Sequence, residues 1–369
     1  MHHSYSERRN DVQKRLRESG ADGAVAYPGP NLQYLTGFRG EPVDRFHVLY
    51  VPSEGEATLL TPEGYLTQAK RNTSLGSIRT VESNDPEMVA DGIINLTGTN
   101  PDAILVDDDA LHAVTGRLYD RLGSDTVDSA GSLFRSLRRR KADAEIADLR
   151  RSAAVADAVS ADIRSLGTDA IGMTESELAT EIRTGLHRRG ATGVSFDVVV
   201  GSGPNGADPA LRYSDREIRP GDPVVVDFGC FLDGYASDQS RVVVFDGDPP
   251  DEFERVHEAV LSALNVGIDT VEPGVRAGAV DAAARNVLVE HGYADRFTHG
   301  TGHGVGLAAH ERLSIAPDEP TTLEPGMVFS VEPGVYFDGE YGVRLEDLVV
   351  VTDDGCERLN DSPRTWRSL

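Results

Sequence analysis

The stretch that decides the fold runs from Pro223 to Phe245 and has the sequence PVVVDFGCFLDGYASDQSRVVVF. Two runs of β-branched residues flank the dipeptide Asp233-Gly234, a strong signal for a two-residue hairpin turn. Folding the chain at this turn brings Asp227 and Asp238 toward one another. Because two close carboxylates repel each other unless a cation or a shared proton neutralises them, the hairpin predicts a metal site.

Three histidines stand in a glycine-rich segment further along the chain. The segment THGTGHGVGLAAHE, residues 298–311, contains His299, His303 and His310. We expect a loop here, because glycines allow the backbone to approach a small ligand closely.

Two acidic residues lie within predicted strands. The segments MVFSVEPGVY (327–336) and YGVRLEDLVVV (341–351) hold Glu332 and Glu346 among apolar neighbours. Since strand side chains alternate between faces, Arg344 and Glu346 are predicted to share a face. With two aspartates and one histidine, these glutamates form an oxygen-rich set that suits paired Mn, Co, Fe or Zn ions better than a structural zinc. Such paired ions activate a bridging water and stabilise the oxyanion that its attack produces.

These segments resemble the prolidase and aminopeptidase P family, the pita-bread metallopeptidases that cleave Xaa-Pro bonds. The resemblance covers about residues 140–360. It implies that Asp238 and Glu346 bridge two ions, with Mn or Co ahead of Zn or Fe. It also implies that Asp227 serves one ion, and that His303 and Glu332 serve the other. The complete set of implied metal ligands is Asp227, Asp238, His303, Glu332 and Glu346.

The resemblance also implies roles in catalysis. His310 corresponds to a histidine near the substrate carbonyl and the P1′ proline, and His299 to a second active-site histidine. Arg344 corresponds to an arginine typical of enzymes that cleave before proline, and Glu332 would handle the proton of the attacking water. The simpler alternative for either histidine is a packed or hydrogen-bonded loop residue.

Two further residues have alternative roles. Arg344 could instead neutralise Glu346 or Asp347. Tyr336 corresponds to a family tyrosine near the substrate pocket, and a core tyrosine is the alternative.

One segment departs from the family pattern. Residues 203–213 have the sequence GPNGADPALRY, and Ala210 occupies the place of a histidine that shuttles protons at the leaving group. Losing a general acid or base can cost about 10²–10⁴ in rate. Arg212 or Tyr213 could substitute in part, although an arginine does not release a proton readily.

Three functions are compatible with these residues. The first is a dinuclear Xaa-Pro dipeptidase or aminopeptidase that uses a metal-bridging hydroxide as its nucleophile. The second is a creatinase-like C–N hydrolase, but metal-free members of that kind lose the ligands and depend on the histidine that Ala210 replaces. The third is a weak or inactive scaffold that binds peptides or proteins. The retained ligand set favours the peptidase, and the scaffold is the alternative.

The charge composition indicates a salt-rich environment. The chain has 61 acidic and 36 basic residues, a formal charge of −25, and its only lysines are Lys14, Lys70 and Lys141. Molar salt shortens the Debye length to about 3 Å and screens the resulting self-repulsion. We therefore predict a halophilic protein, with an acidic mesophilic protein as the alternative. A chain this acidic repels nucleic acids and anionic membranes, so we expect neither as a partner.

Cysteine content and hydropathy predict a cytoplasmic protein. Cys230 and Cys356 form no metal or disulfide motif, and we expect free buried thiols. The residues Met1–Arg9 are polar, and no stretch of roughly 18 apolar residues is present.

We predict an α/β (α+β) chain with two domains. Residues 1–135 would form a small mixed α/β domain, with a helix at 8–19 and strands at 24–28, 46–51, 57–61 and 103–107. The motif NLQYLTGF (31–38) resembles the creatinase-type N-terminal domain, and residues 140–369 would form the pita-bread domain. The resemblance implies a homodimer, in which the first domain would serve oligomerisation and substrate access.

Three local patterns complete these expectations. The basic residues 138–141 precede a predicted long helix and are expected to be solvated or paired with acidic side chains, rather than to bind nucleic acid. Thr174 and Glu177 resemble a capping box that opens the next helix. The acidic triplet at 107–109 is expected to be surface acid, rather than a metal site.

Overall fold

The computed structural model describes residues 4–40, 47–82, 85–98 and 100–368 of the chain. The chain divides into two compact units, Met1–Arg138 and Arg139–Leu369. Among the helices of these described residues, none combines the length and the apolar character that crossing a membrane requires.

The first unit is built on a six-stranded mixed sheet. Its strands are Gly23–Ala26 (β1), Val48–Pro52 (β2), Thr58–Pro62 (β3), Ser77–Val81 (β4), Ile104–Val106 (β5) and Val127–Ser129 (β6). The spatial order is β4-β3-β2-β1-β5-β6, in which β1–β2 and β2–β3 are antiparallel and the other pairs are parallel. Its helices are Tyr5–Ser19 (α1), Pro30–Thr36 (α2), Leu66–Asn72 (α3), Pro86–Thr97 (α4), His112–Leu122 (α5) and Gly131–Arg138 (α6), with a 3₁₀ turn at Glu63–Tyr65. Apolar residues of the sheet and of α4 and α5 form its core.

The expected elements of this unit are present, with shifted ends. The helix α1 begins three residues earlier than predicted because Ser4 caps it and forms a reciprocal capping box with Glu7. The predicted strands correspond to β1, β2, β3 and β5, although Phe46 lies outside the described residues.

The acidic triplet is only partly at the surface. Asp108 and Asp109 are exposed, as predicted, but Asp107 is buried. Its carboxylate accepts hydrogen bonds from the backbone N–H of Tyr27 and the side-chain amide of Asn31. The surface prediction was wrong for Asp107 because these donors replace water around a carboxylate at the end of a strand.

The second unit contains four long helices and several small antiparallel sheets. The helices are Asp143–Ser165 (α7), Glu175–Arg188 (α8), Phe253–Asp269 (α9) and Ala277–Glu290 (α10), with 3₁₀ turns at Gly167–Ala170, Gly203–Ala207 and Ala294–Arg296. The strands up to the first hairpin are Gly193–Val194 (β7), Val199–Ser202 (β8), Val224–Phe228 (β9), Cys230–Leu232 (β10), Tyr235–Ala236 (β11) and Gln239–Val243 (β12). The later strands are Gly302–Gly304 (β13), Glu311–Ile315 (β14), Val328–Val331 (β15), Gly334–Phe337 (β16), Tyr341–Arg344 (β17), Asp347–Val351 (β18) and Cys356–Arg358 (β19).

Helices cover these sheets and bury two apolar clusters. One cluster joins α7 and α8 to strands β8–β10, and the other joins α9 and α10 to the strands around β15–β18. The predicted box at the start of α8 is confirmed, since Thr174 accepts from the backbone N–H of Glu177 and the Glu177 carboxylate accepts from that of Thr174. Both cysteines are free; Cys230 is buried, as expected, whereas Cys356 is only partly buried.

The stretch Pro223–Phe245 forms the predicted hairpin. β9 pairs with β12 and β10 with β11, and both ladders keep one register. The turn residues Asp233 and Gly234 have positive φ angles of 50° and 89°, as this two-residue turn requires. The hairpin is interrupted at Gly229, where a Cβ atom would lie 1.8 Å from the carbonyl oxygen of Ser237.

A second hairpin carries the two glutamates. β15 pairs with β18 and β16 with β17, again in one register. Glu332 follows β15 and Glu346 precedes β18, so the two residues face each other where the ladder is interrupted. The prediction that they lie within strands was therefore wrong by one residue each. Pro333 explains the break, because proline has no N–H to donate to the ladder.

Candidate metal centre and active site

One cavity of the second unit contains all of the predicted site residues. Its volume is about 500 Å³. Its lining includes Asp227, Asp238, His299, His303, His310, Glu332, Arg344 and Glu346.

The two hairpins bring the four carboxylates together. Asp227 pairs with Ser240 across the first hairpin, and Asp238 lies two residues before Ser240, so these three side chains share a face. The backbone N–H of Glu346 donates to the carbonyl of Ser240 at 3.1 Å and thereby joins the second hairpin to the first. Glu346 is opposite Glu332 in that second hairpin.

His303 lies in strand β13, whereas the sequence predicted a loop for all three histidines. The loop prediction was wrong for His303, because the glycines beside it let the backbone pack closely against the neighbouring strand. A Cβ on Gly302 would lie 1.9 Å from the carbonyl oxygen of Ser330. His299 and His310 lie outside strands, as predicted.

The ring of His303 presents a lone pair to the carboxylates. Its Nδ1 lies 3.2 Å from the carbonyl oxygen of Gly304, which can only accept, so Nδ1 carries the proton. Its Nε2 lies 3.4 Å from Glu332 Oε1 and 3.7 Å from Asp238 Oδ2. Three acceptors facing one another are unfavourable without a cation between them.

Among the four carboxylates, two buried oxygens have no hydrogen-bond partner in the described part of the chain. These are Oδ1 of Asp227 and Oε1 of Glu346. Unpaired buried polar atoms cost free energy unless a partner, such as a metal ion, satisfies them. Potential donor atoms of Asp238, His303 and Glu346 all lie within 4.8 Å of one another. The donor set and its unpaired oxygens therefore fit divalent cations.

The electrostatics of the site point the same way. Burial, together with the neighbouring carboxylates, raises the pKa of Asp238 and Glu346 well above the usual range. Burial also raises the pKa of Glu332 and lowers the pKa of His299 and His303. Each shift disfavours the charged form, which is the expected response of crowded acidic groups in the absence of cations.

Arg344 connects the carboxylates to one another. It donates from Nη2 to Asp227 Oδ2 at 2.5 Å and from Nε to Ser240 Oγ at 2.9 Å. Ser240 in turn donates to Glu346 Oε2 at 2.8 Å. The direct partner of Arg344 is thus Asp227, and not Glu346 or Asp347. A buried Asp347 is paired with Arg241 instead.

Tyr336 lies between Arg344 and His299. The tyrosine is buried, and its hydroxyl accepts from Arg344 Nη1 at 3.0 Å and lies 2.9 Å from His299 Nε2. His299 Nδ1 lies 2.8 Å from the carbonyl oxygen of Gly300, so this nitrogen is the donor and Nε2 accepts from the tyrosine. Both ring nitrogens of His299 are therefore engaged with protein groups.

His310 is exposed to the cavity. Its ring stacks on that of His303, with centroids 3.8 Å apart. The rings of Phe196 and His310 are nearly perpendicular, with centroids 6.4 Å apart. Of the three histidines, His310 has the ring most accessible to a bound ligand.

Ala210 lines the cavity and supplies no proton donor there. The two residues that could substitute for a histidine point to other partners. Arg212 is exposed and pairs with Asp197 at 2.7 Å, and Tyr213 lies under the guanidinium of Arg183. Neither lines the cavity.

Several residues of the site escaped the sequence analysis. Ser240 could have been predicted from strand periodicity, because it lies two residues after Asp238 and therefore on the same strand face. Ser330 donates to Glu332 Oε1 at 3.2 Å and accepts from the backbone N–H of His303 at 3.0 Å. Phe196 lies in a segment without any motif, so its place in the cavity depends on the fold alone.

Comparison with known proteins identifies the family. The model of metallopeptidase family M24 matches residues 147–353, and the creatinase/prolidase N-terminal domain matches residues 8–140. A probable dipeptidase PepE from Mycobacterium tuberculosis is 38% identical over 353 residues, which cover 94% of this chain and 92% of the relative. The chain therefore belongs to metallopeptidase family M24.

Solved structures support the same assignment. A prolidase from Thermococcus sibiricus has a TM-score of 0.92 and 34% identity, and the match covers 99% of each chain. An Xaa-Pro dipeptidase from Bacillus anthracis has a TM-score of 0.89 and 30% identity, covering 99% of this chain and 100% of that one. The predicted α/β fold with a pita-bread catalytic region is confirmed, and the protein is a metallopeptidase. Members of this family use divalent metals, and Asp238, His303 and Glu346 form a group that could hold such an ion.

Proposed function

We propose that this protein hydrolyses the peptide bond before proline and uses two divalent ions. The observation that carries the proposal is the cluster of four carboxylates around the Nε2 lone pair of His303, with unpaired oxygens on Asp227 and Glu346. The names of similar proteins, a probable dipeptidase, a prolidase and an Xaa-Pro dipeptidase, support the substrate class.

The proposed ligands divide between two ions. Asp238 and Glu346 would contact both, Asp227 would complete one site, and His303 with Glu332 would complete the other. Mn and Co are preferred over Zn and Fe for this oxygen-rich set. Ions bound there would lower the pKa of a water and stabilise the charge that develops on the substrate carbonyl.

The protein groups would perform the remaining tasks. Glu332 would take the proton of the attacking water, and His310 would donate a hydrogen bond to the substrate carbonyl from the open side of the cavity. Arg344 would hold Asp227 and, through Ser240, Glu346 in place. His299, whose nitrogens are both engaged, would shape the pocket together with Tyr336 instead of exchanging protons.

A catalytically weak scaffold is the second candidate. It is favoured by Ala210, because neither Arg212 nor Tyr213 supplies the missing proton donor. A scaffold, however, gives no reason to gather four buried carboxylates around a histidine. A creatinase-like hydrolase fits less well, because its metal-free members lack these ligands. The predicted homodimer remains part of the proposal, and sedimentation in molar KCl would test it.

The proposal is tested by hydrolysis of an Xaa-Pro dipeptide and an Xaa-Pro tripeptide in molar KCl, with added Mn or Co and with chelator. We expect metal-dependent release of the first residue, and the ratio of the two rates will distinguish dipeptidase from aminopeptidase. Glu346→Ala should abolish binding of two ions as well as turnover. Two bound ions without turnover of either peptide would favour the scaffold.

A further inference from the structure

A buried ion pair lies behind the turn that carries His310. Lys141 Nζ lies 3.1 Å from Glu311 Oε2, and only 3% and 9% of these two side chains are exposed. The other lysines of the chain, Lys14 and Lys70, are exposed. Burying two charges is costly unless their geometry and their further hydrogen bonds compensate. A buried pair at this place in the fold therefore indicates a role beyond stability.

The turn folds around the carboxylate of Glu311. Oε1 of Glu311 accepts from the backbone N–H of Leu307 at 3.1 Å. A Cβ on Gly306 would lie 2.5 Å from the same oxygen, so only glycine leaves room for the carboxylate. Glu311 is also the first residue of β14 and pairs with Gly304, next to His303. Its side chain thus closes the turn between β13 and β14.

The backbone at Lys141 is anchored independently of this turn. Its N–H donates to the carbonyl of Gly326 at 2.7 Å, and the preceding Arg140 forms a bridge with Met327. These contacts are made with the segment that leads into β15, the strand that precedes Glu332. The backbone of Lys141 is therefore fixed close to the strand that precedes Glu332, and its ammonium group extends from there to the turn.

We propose that Lys141 is a positioning residue that holds the ring of His310 in place through its ion pair with Glu311. This inference rests on the proposed function, in which His310 contacts the substrate. Without the ammonium group, Glu311 loses its buried ion pair with Lys141, and because breaking a buried pair is strongly destabilising, the carboxylate shifts from its place in the turn. That movement releases the N–H of Leu307 and shifts the ring of His310 off His303. A shift of about 1 Å in a catalytic group can cost about 10²-fold in rate.

Lys141→Met tests this role directly. We expect kcat/KM on an Xaa-Pro substrate to fall by roughly 10- to 100-fold while two ions remain bound. Adding Glu311→Gln to this variant should restore most of the activity, because the neutral amide oxygen still accepts from Leu307. Arg140→Met is the matched control, since it breaks an exposed pair with Glu324 and should leave activity unchanged. Failure of Glu311→Gln to restore activity would overturn the proposal.

Two further measurements separate positioning from general damage. In a His310→Ala background, Lys141→Met should cause little additional loss of activity, whereas an equal loss in both backgrounds would contradict the role. Hydrogen exchange of the metal-loaded protein should accelerate in residues 305–311 of Lys141→Met, and unchanged exchange would also contradict it. If the wild-type protein turns over no Xaa-Pro substrate, the proposed function fails, and the exchange result alone still decides whether Lys141 holds the turn.

Discussion

Ser240 contacts two residues of the proposed site at once. Its hydroxyl accepts from Arg344 and donates to Glu346. Groups that orient metal ligands typically contribute 10- to 100-fold to metal affinity or activity. This serine therefore provides a test of whether the ligands are held as described.

Ser240→Ala should weaken metal binding by about 10- to 100-fold, because it leaves Arg344 Nε and one oxygen of Glu346 without their partner. Titration calorimetry with Mn would measure the change. Ser314→Ala is a suitable control, since Ser314 lines the same cavity and pairs with His303 through the backbone, while its hydroxyl has no hydrogen bond to a proposed ligand among the described residues. Equal affinities for wild type and Ser240→Ala would show that the serine does not orient Glu346.

Ala210→His should raise kcat on an Xaa-Pro substrate. The alanine lines the cavity, and a histidine there could supply a proton to the leaving amine, a contribution of about 10²–10⁴ in rate for general acids and bases. Steady-state kinetics of the variant would measure it, with Arg212→His as a control that places the imidazole beside Asp197 instead. An unchanged kcat would mean that another group already moves this proton.

At the level of single residues, the sequence predicted which side chains meet but not how they are connected. The hairpin predicted that Asp227 and Asp238 lie close together, and the resemblance to the family implied the rest of the cluster. The partner of Arg344 could not be predicted in this way, because Asp227 is distant in the chain and the pairing depends on how the two hairpins join. Burial of Asp107 was missed for a similar reason, since its donors are Tyr27, which follows β1, and Asn31 in α2.

At the level of elements, the first hairpin was the most predictable part of the fold, whereas the sequence predicted only two strands where the second hairpin forms. The first hairpin is specified almost entirely by neighbouring residues. These are a turn dipeptide that can adopt positive φ angles and the runs of β-branched residues on either side of it. The interruptions at Gly229 and Pro333 were not predicted, although they place Asp238 opposite Gly229 and Glu332 opposite Glu346. Such breaks depend on close backbone contacts and missing N–H groups, which periodicity does not reveal.

Helix α9 contains a buried histidine that should make stability depend on pH. Burial lowers the pKa of His257 to about 4. In the unfolded chain its pKa returns to about 6.5, so the unfolded state binds the extra proton first as the pH falls. The contribution of neutral His257 to the free energy of unfolding is therefore complete above pH 6.5 and is lost progressively toward pH 4. This difference between the folded and unfolded pKa of His257 corresponds to about 3 kcal/mol of unfolding free energy.

Comparison of wild type with His257→Gln isolates this contribution. Between pH 7 and pH 4, the free energy of unfolding of the wild type should fall by about 3 kcal/mol more than that of the variant. Urea denaturation in molar KCl at several pH values would measure both. Parallel pH profiles would show that His257 is protonated in the folded protein or that it unfolds locally.

At the level of the whole molecule, net charge is the dominant feature. The formal charge of −25 creates self-repulsion that salt screens as the Debye length falls from about 10 Å at 0.1 M to about 3 Å at 1 M. The midpoint of thermal unfolding should therefore rise between 0.1 M and molar KCl. Neutralising exposed acidic residues, beginning with Glu54, Asp120 and Glu258, should reduce this dependence. An unfolding temperature independent of KCl would favour an ordinary acidic protein over a halophilic one.

The central claim is that two ions in one cluster of carboxylates carry out the hydrolysis. The most direct test is to titrate the metal-free protein, at a concentration well above the dissociation constant, with Mn while following cleavage of an Xaa-Pro dipeptide in molar KCl. The account predicts that activity rises until two ions are bound per chain and then levels off. Full activity with one ion, or activity that persists in excess chelator, would contradict it.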